Sequence, residues 1–150
     1  MVGIGYDSHR FAAGRRLVLG GVEIEHPLGL SGHSDADVLT HAVIDAILGA
    51  AGGGDIGTLF PDSDPRWQGA DSIDLLRTAV GTIAGAIVNI DATLICEEPR
   101  LGPYKAEMER TIGDATSARV SVKATTNEGM GWVGRGEGIA CIAVASVQSE

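Results

Sequence analysis

The chain has 150 residues, 44% hydrophobic and 21% charged, which excludes intrinsic disorder and fits a single globular domain spanning 1–150. A chain of this size can bury a core without disulfide or metal staples. Its formal charge of −9 excludes a general electrostatic nucleic-acid binder, which needs a basic footprint.

Val2 to Phe11 alternates as a strand, with Val2, Ile4 and Tyr6 on one face and Gly5, Asp7, His9 and Phe11 on the other. Leu17-Val18-Leu19, Gly20-Gly21 and Val22-Glu23-Ile24 form a hairpin pattern with a two-residue turn. Ser34 to Leu48 predicts a helix, with Ser34 as N-cap and Asp37 in a capping-box-like position. Ala42, Val43, Ala46 and Ile47 make its apolar stripe. Asp37, His41 and Asp45, four apart, share another face. Asp55 to Asp71 is a polar loop. A second helix starts near Asp71 and turns Leu76, Val80 and Ile83 inward. Ile90 to Cys96 is a strand, Pro99 to Pro103 a turn, and a third helix carries Tyr104, Met108 and Ile112. Val120 to Thr125 is a strand, Gly129 to Gly138 a glycine-rich loop, and Ile139 to Val147 a last strand, apolar on both faces and therefore central. The connections Gly81–Asn89 and Gly113–Arg119 are short, so the second helix is expected to end early or turn sharply. The order predicts an α+β fold: one mixed four-stranded sheet with helices layered on one face, plus a small N-terminal hairpin.

The longest apolar run, Gly138 to Val147, is about half the ~20 residues that span a bilayer, so no membrane segment is expected. The first residues show no basic region followed by an apolar stretch, so no leader is expected either. Cys96 and Cys141 lie in apolar runs and are expected to be buried, reduced thiols, in keeping with a cytoplasmic protein.

Asp7 and His9 leave the same face of a strand, and His41 lies on a helix able to cover it. Two imidazoles and a carboxylate are the donors of an open zinc site; the same set fits a facial triad for iron, or three unrelated residues. His33-Ser34 precedes the helix, where free N–H groups suit a phosphate, although Ser34 can equally serve only as a cap. Asp55, Asp62 and Asp64 crowd one loop, either as Asx-turns or as acceptors for polyol hydroxyls. Lys123-Ala124-Thr125-Thr126-Asn127-Glu128 ends a strand with hydroxyls and amides suited to phosphate and a carboxylate suited to Mg²⁺, or with ordinary strand formers. Arg135 and Glu137 can simply pair with each other. An acidic chain that handles an anionic ligand must offset its own field locally, through metal ions, a few cationic side chains or oriented amides.

Five segments together resemble the 2-C-methyl-D-erythritol 2,4-cyclodiphosphate synthase family of the non-mevalonate isoprenoid pathway. They are Gly5-Tyr6-Asp7-Ser8-His9-Arg10-Phe11, Gly32-His33-Ser34-Asp35-Ala36-Asp37-Val38, Gly52-Gly53-Gly54-Asp55-Ile56-Gly57 with Leu59-Phe60-Pro61-Asp62, Lys123 to Glu128, and Gly134-Arg135-Gly136-Glu137-Gly138-Ile139-Ala140. The resemblance implies a homotrimer with active sites between subunits, acting on 4-diphosphocytidyl-2-C-methyl-D-erythritol 2-phosphate. It implies Zn²⁺ on Asp7, His9 and His41, and a second ion, Mg²⁺ or Mn²⁺, on Glu128 with the substrate diphosphate. His33 and Thr126 match positions assigned to transition-state stabilisation. Ser34, Asp55, Ile56, Gly57, Phe60, Pro61, Asp62, Ser63 and Asp64 match the sugar-phosphate side. Cys96, Pro99, Arg100, Leu101 and Gly102 match the cytidine pocket. Ala124, Thr125, Trp132 and Arg135 match further ligand contacts. Ile142 departs from members that carry an acid in the final strand, near a cavity on the threefold axis proposed to hold isoprenoid diphosphates.

The implied nucleophile, a phosphate oxygen, is already anionic, so the reaction asks for positioning and charge neutralisation rather than a base. Two other readings stand beside this one: a mononuclear Fe(II) enzyme on Asp7, His9 and His41, and a nucleotide- or metal-binding trimer without turnover.

Overall fold

The structure is a computed structural model that describes residues 1–149. Its main sheet contains β1 (Val2–Ala12), β4 (Gly29–Leu30), β5 (Ala86–Ile95), β6 (Arg119–Thr125) and β7 (Gly138–Gln148), in the order β4-β1-β7-β5-β6. Only β5 and β6 run parallel; the other neighbours are antiparallel. β2 (Leu17–Leu19) and β3 (Val22–Ile24) form a separate two-stranded sheet. Their turn puts Gly20 at φ 59° and Gly21 at φ 72°, the pair of positive values that a two-residue type I′ hairpin requires.

The main helices are α1 (Val38–Ala51), α3 (Ser72–Thr82) and α4 (Lys105–Thr116), with short α2 (Ile56–Leu59) and α5 (Gly131–Gly134) between strands and loops. α1 lies directly on β1 and β7 and meets α3. The approach is close because Gly3 and Gly5 present bare backbone to it. A Cβ on Gly3 would sit 2.1 Å from the Ala46 carbonyl oxygen, and one on Gly5 1.9 Å from that of Ala42. Ala42 and Ala46 complete this small-residue seam, while Leu39, Ile44, Ile47, Leu76, Leu94, Met108 and Ile112 fill the surrounding core.

The other face of the sheet is open. Ile4 and Tyr6 are 71% and 55% exposed. Cross-strand register places Val2 beside Ser146, Ile4 beside Val144, and Tyr6 beside Ile142. Toward β5 and β6 the same face becomes polar, with an ion pair between Lys123 and Asp91 and a hydrogen bond from Ser146 Oγ to Asn89 Oδ1.

The fold class, the hairpin and the central position of the last strand agree with the sequence reading. The sheet has five strands rather than four, because Gly29 and Leu30 pair with Ala12 and Phe11 at its edge. α1 is capped by Asp37, not Ser34: the Asp37 carboxylate accepts from Thr40 N at 2.9 Å. Asp37 is fully buried, and Gly20 N and Gly21 N donate to it at 2.8 Å each. The Asp55–Asp71 loop encloses α2 and a 3₁₀ turn at Pro65–Trp67, capped by Asp55 and Asp64. The Gly129–Gly138 loop encloses α5. α3 runs to Thr82 rather than ending early, and β5 starts at Ala86, four residues before the sequence reading placed it. Gly85 at φ 95° makes the tight reversal between them.

Candidate metal centre and active site

The pleat of β1 turns Asp7 and His9 toward α1, and the glycine seam brings His41 down onto them. Asp7 Oδ2 lies 2.8 Å from His9 Nε2 and 3.2 Å from His41 Nδ1; the two ring nitrogens are 3.4 Å apart. Donors held ~2.0–2.1 Å from one tetrahedral ion stand roughly 3.3 Å from each other, so this triangle fits a zinc-sized divalent cation. Each imidazole also has its far nitrogen occupied. His9 Nδ1 donates to the Ser31 carbonyl at 2.8 Å, which turns Nε2 toward Asp7 and the triangle. His41 Nε2 meets Ser72 Oγ at 2.9 Å and Ser34 Oγ at 3.0 Å. Burial works to raise the Asp7 carboxyl, but hydrogen bonds from His41 and His9, and their charge, outweigh it and hold the group below its ordinary value. Burial likewise works against a charged His41, yet Asp7, with Asp37 and Asp35 behind it, raises it above its ordinary value.

The three donors open onto a cavity of about 420 Å³. Its wall brings together, from the sequence expectations, His33, Ser34, Ile56, Gly57, Phe60, Pro61 and Asp62. Asp45, one turn beyond His41 on α1, accepts from Ile56 N at 2.7 Å and so ties the cavity loop to the helix that carries His41. His33 Nε2 is 3.3 Å from the Asp64 carbonyl. The carboxylates of Asp55 and Asp64 are engaged locally, with Thr58 and with Arg66 respectively, which makes them the Asx-type caps of the plainer sequence reading. Ser63 is exposed and off the cavity wall. Trp67, which the sequence reading passed over, lines the cavity edge-on to Phe60, and its buried indole N–H has no partner among the described residues.

A second cavity, about 320 Å³, gathers Cys96, Pro99, Arg100, Leu101, Gly102, Ala124, Thr125 and Thr126. A third, about 270 Å³, lies beside Trp132, with Glu137 on its wall; Arg135 pairs with Glu137 at 2.6 Å, as the plainer reading allowed. Glu128 stands in a turn at φ 54° and, among the described residues, lies outside the Asp7–His9–His41 group. Glu97, also passed over, holds that turn: its Oε1 accepts from Asn127 N at 2.9 Å and Gly129 N at 3.3 Å. The first two cavities lie apart. Asp7, Cys141, Leu94 and Ala124 are successive cross-strand neighbours, so Asp7 and Ala124 are separated by three strand spacings, about 14 Å. Cys96 and Cys141 are free and buried, as expected. Among the described residues, no helix is long and apolar enough to cross a membrane.

Fold and site together define an α+β protein in which a three-donor group able to hold a metal ion opens onto a ligand-sized cavity. The chain belongs to the YgbB family, which it matches over residues 1–148. It is 57% identical to a 2-C-methyl-D-erythritol 2,4-cyclodiphosphate synthase of Symbiobacterium thermophilum, over 98% of each chain. Among solved structures it resembles the bifunctional IspDF of Campylobacter jejuni, with a TM-score of 0.91 and 43% identity over 96% of this chain and 41% of that one. It also resembles a 2C-methyl-D-erythritol-2,4-cyclodiphosphate synthase in its CDP-bound form, with a TM-score of 0.87 and 34% identity over 99% of this chain and all of that one.

Proposed function

We propose that this chain is a 2-C-methyl-D-erythritol 2,4-cyclodiphosphate synthase, a phosphorus–oxygen lyase of cytoplasmic isoprenoid precursor synthesis by the non-mevalonate route. The observation that carries the reading is the convergence of Asp7, His9 and His41 at a ligand-sized cavity in a chain of this family. The substrate is 4-diphosphocytidyl-2-C-methyl-D-erythritol 2-phosphate. An oxygen of its 2-phosphate bonds to the β-phosphorus, the bond from that phosphorus to the CMP oxygen breaks, and CMP leaves with the electron pair.

Zn²⁺ on Asp7, His9 and His41, and Mg²⁺ or Mn²⁺ on Glu128, would supply Lewis-acid neutralisation of phosphate charge. The chain's own residues do the positioning. The loop from Asp55 to Asp64 holds the sugar-phosphate end, with Ile56 fixed by Asp45. The wall from Cys96 to Gly102 takes the cytidine, and Ala124 to Thr126 with Glu128 meet the diphosphate. His33 and Thr126 stabilise charge at the reacting phosphorus, Ser34 adds a hydroxyl, and Trp132 and Arg135 contact the ligand. The nucleophile is already ionised, so no side chain has to take a proton.

The working form is a homotrimer with each active site shared between neighbours. Two features support this. The metal wall and the nucleotide wall of one chain lie about 14 Å apart across the sheet, too far for a single compact phosphate centre. The open sheet face also leaves Val2, Ile4, Tyr6, Ile142 and Val144 in water, an apolar patch that a second copy would cover. Incubation with the substrate, Zn²⁺ and Mg²⁺, followed by ³¹P NMR, tests the activity. A cyclic diphosphate with stoichiometric CMP, abolished by chelator, is expected; no turnover by a metal-loaded trimer would refute it.

A further inference from the structure

On the reading that Asp7, His9 and His41 hold a divalent cation, we infer that Ser72 and Asp35 are positioning residues that fix the proton of His41 on Nε2 and present its Nδ1 lone pair to the metal. Ser72 opens α3 and is fully buried. Its Oγ touches both His41 Nε2, at 2.9 Å, and Asp35 Oδ1. The other Asp35 oxygen accepts from Ser72 N at 3.0 Å.

The direction of each hydrogen bond follows from the inventory of donors. A carboxylate only accepts, so the Ser72 hydroxyl must give its single proton to Asp35. The same oxygen then faces His41 Nε2 with lone pairs alone and can only accept from it. Nε2 therefore carries an N–H, and Nδ1, which gives a proton to Asp7 in the metal-free site, is the nitrogen left as a lone pair when a cation replaces that proton. In the opposite tautomer an N–H would point into the metal triangle, and Ser72 and Nε2 would meet lone pair to lone pair.

Ser34 does not provide the same constraint. Its Oγ accepts from Ala36 N at 3.3 Å, but no carboxylate claims its own proton, so it tolerates either tautomer of His41. The chain Asp35–Ser72–His41 is thus the part of the surroundings that selects the metal-binding form. It also couples the start of α3, just beyond the substrate loop, to the metal centre.

Competition between the full-length protein, stripped of metal, and a chromophoric chelator for Zn²⁺ tests this. Ser72→Ala is expected to bind Zn²⁺ about 10–100-fold more weakly than wild type. Asp35→Asn is expected to do the same, because an amide cannot accept at both positions that now face donors. Nitrogen-15 spectra of the zinc-loaded wild type should show His41 protonated at Nε2. Unchanged Zn²⁺ affinity in both variants, or a His41 protonated at Nδ1, would overturn the inference while leaving the metal site standing. Failure of the wild type itself to take up Zn²⁺ would overturn the metal reading and this inference with it. Should Ser72→Ala prove unfolded by circular dichroism, Asp35→Asn decides the question alone.

Discussion

Gly5→Ala tests whether the metal triangle depends on the bare backbone contact between β1 and α1. The added Cβ would lie 1.9 Å from the Ala42 carbonyl oxygen and 2.8 Å from Ala46 N, both helix backbone atoms that cannot rotate aside. A relaxed carbon–oxygen contact is ~3.3 Å, so α1 has to withdraw by about 1.4 Å or the strand must buckle. Either motion separates His41, adjacent to Ala42, from Asp7 and His9. Metal sites tolerate departures of only about 0.2 Å in ligand distance, so Zn²⁺ affinity is expected to drop at least tenfold. Overpacking of this kind costs ~1–3 kcal/mol, equivalent to a fall of roughly 3–10 °C in melting temperature for a chain of this size. Gly81→Ala is the control. That glycine sits in α3 with nothing within 4 Å of a built Cβ, and its replacement should stabilise by about 0.5–1 kcal/mol. Thermal denaturation of the metal-free proteins and Zn²⁺ titration read both effects. A Gly5→Ala protein with the wild-type midpoint and affinity would refute the close-contact reasoning.

Other outcomes follow from the same geometry. His41→Ala should abolish Zn²⁺ uptake and turnover, yet leave CMP affinity within about threefold because the cavity around Cys96 is untouched; calorimetry with CMP separates the two. Ile4→Glu puts a charge at the centre of the open apolar face, and sedimentation equilibrium is expected to give a trimer for the wild type and a monomer for the variant; a wild-type monomer would count against the shared site. Burial, helped by Glu97 and Glu98, pushes the Cys96 thiol from its ordinary 9.0 up to about 11. Below both values the native thiolate fraction is then about 100-fold lower than that of a free thiol, and alkylation at pH 8 should be slowed accordingly. The unfolded chain loses this proton first, so stability should fall as pH rises above about 9; a flat profile from pH 9 to 11 would contradict the burial argument.

The strands, the hairpin and the centrality of β7 were legible because period-two alternation and the Gly20-Gly21 pair are local signals. The donor set was legible in part: Asp7 and His9 share a strand face by spacing alone, while His41 lay on a helix able to cover that face and joined the set through the family resemblance. What could not be read locally was the partner of each buried polar group. Ser34 looked like the cap because it precedes an acid three residues on, yet Asp37 takes that role. Its carboxylate is drawn inward by Gly20 N and Gly21 N from a distant hairpin. Ser72 and Asp35 are 37 residues apart, and no pattern in either neighbourhood announces their bond. Glu97 was likewise invisible, because its role depends on a turn 30 residues further along. The two-residue β4 was too short to carry alternation at all.

The charge of −9 acquires a local explanation at the site. Four carboxylates surround His41, but three are committed to donors within the chain. Asp37 is held by Gly20, Gly21 and Thr40, Asp45 by Ile56 N, and Asp35 by Ser72 and Asp37 N. Asp7 is the one whose oxygen converges with two imidazole nitrogens on the cavity. The committed acids therefore shape the loops and the helix that frame the site, while Asp7 alone completes a cation-binding triangle. On the proposed function, a chain so negative takes up its polyphosphate chiefly through bound cations. Substrate affinity should accordingly collapse on metal removal far more steeply than at a site built on lysines, and chelation should act on binding before it acts on the fold.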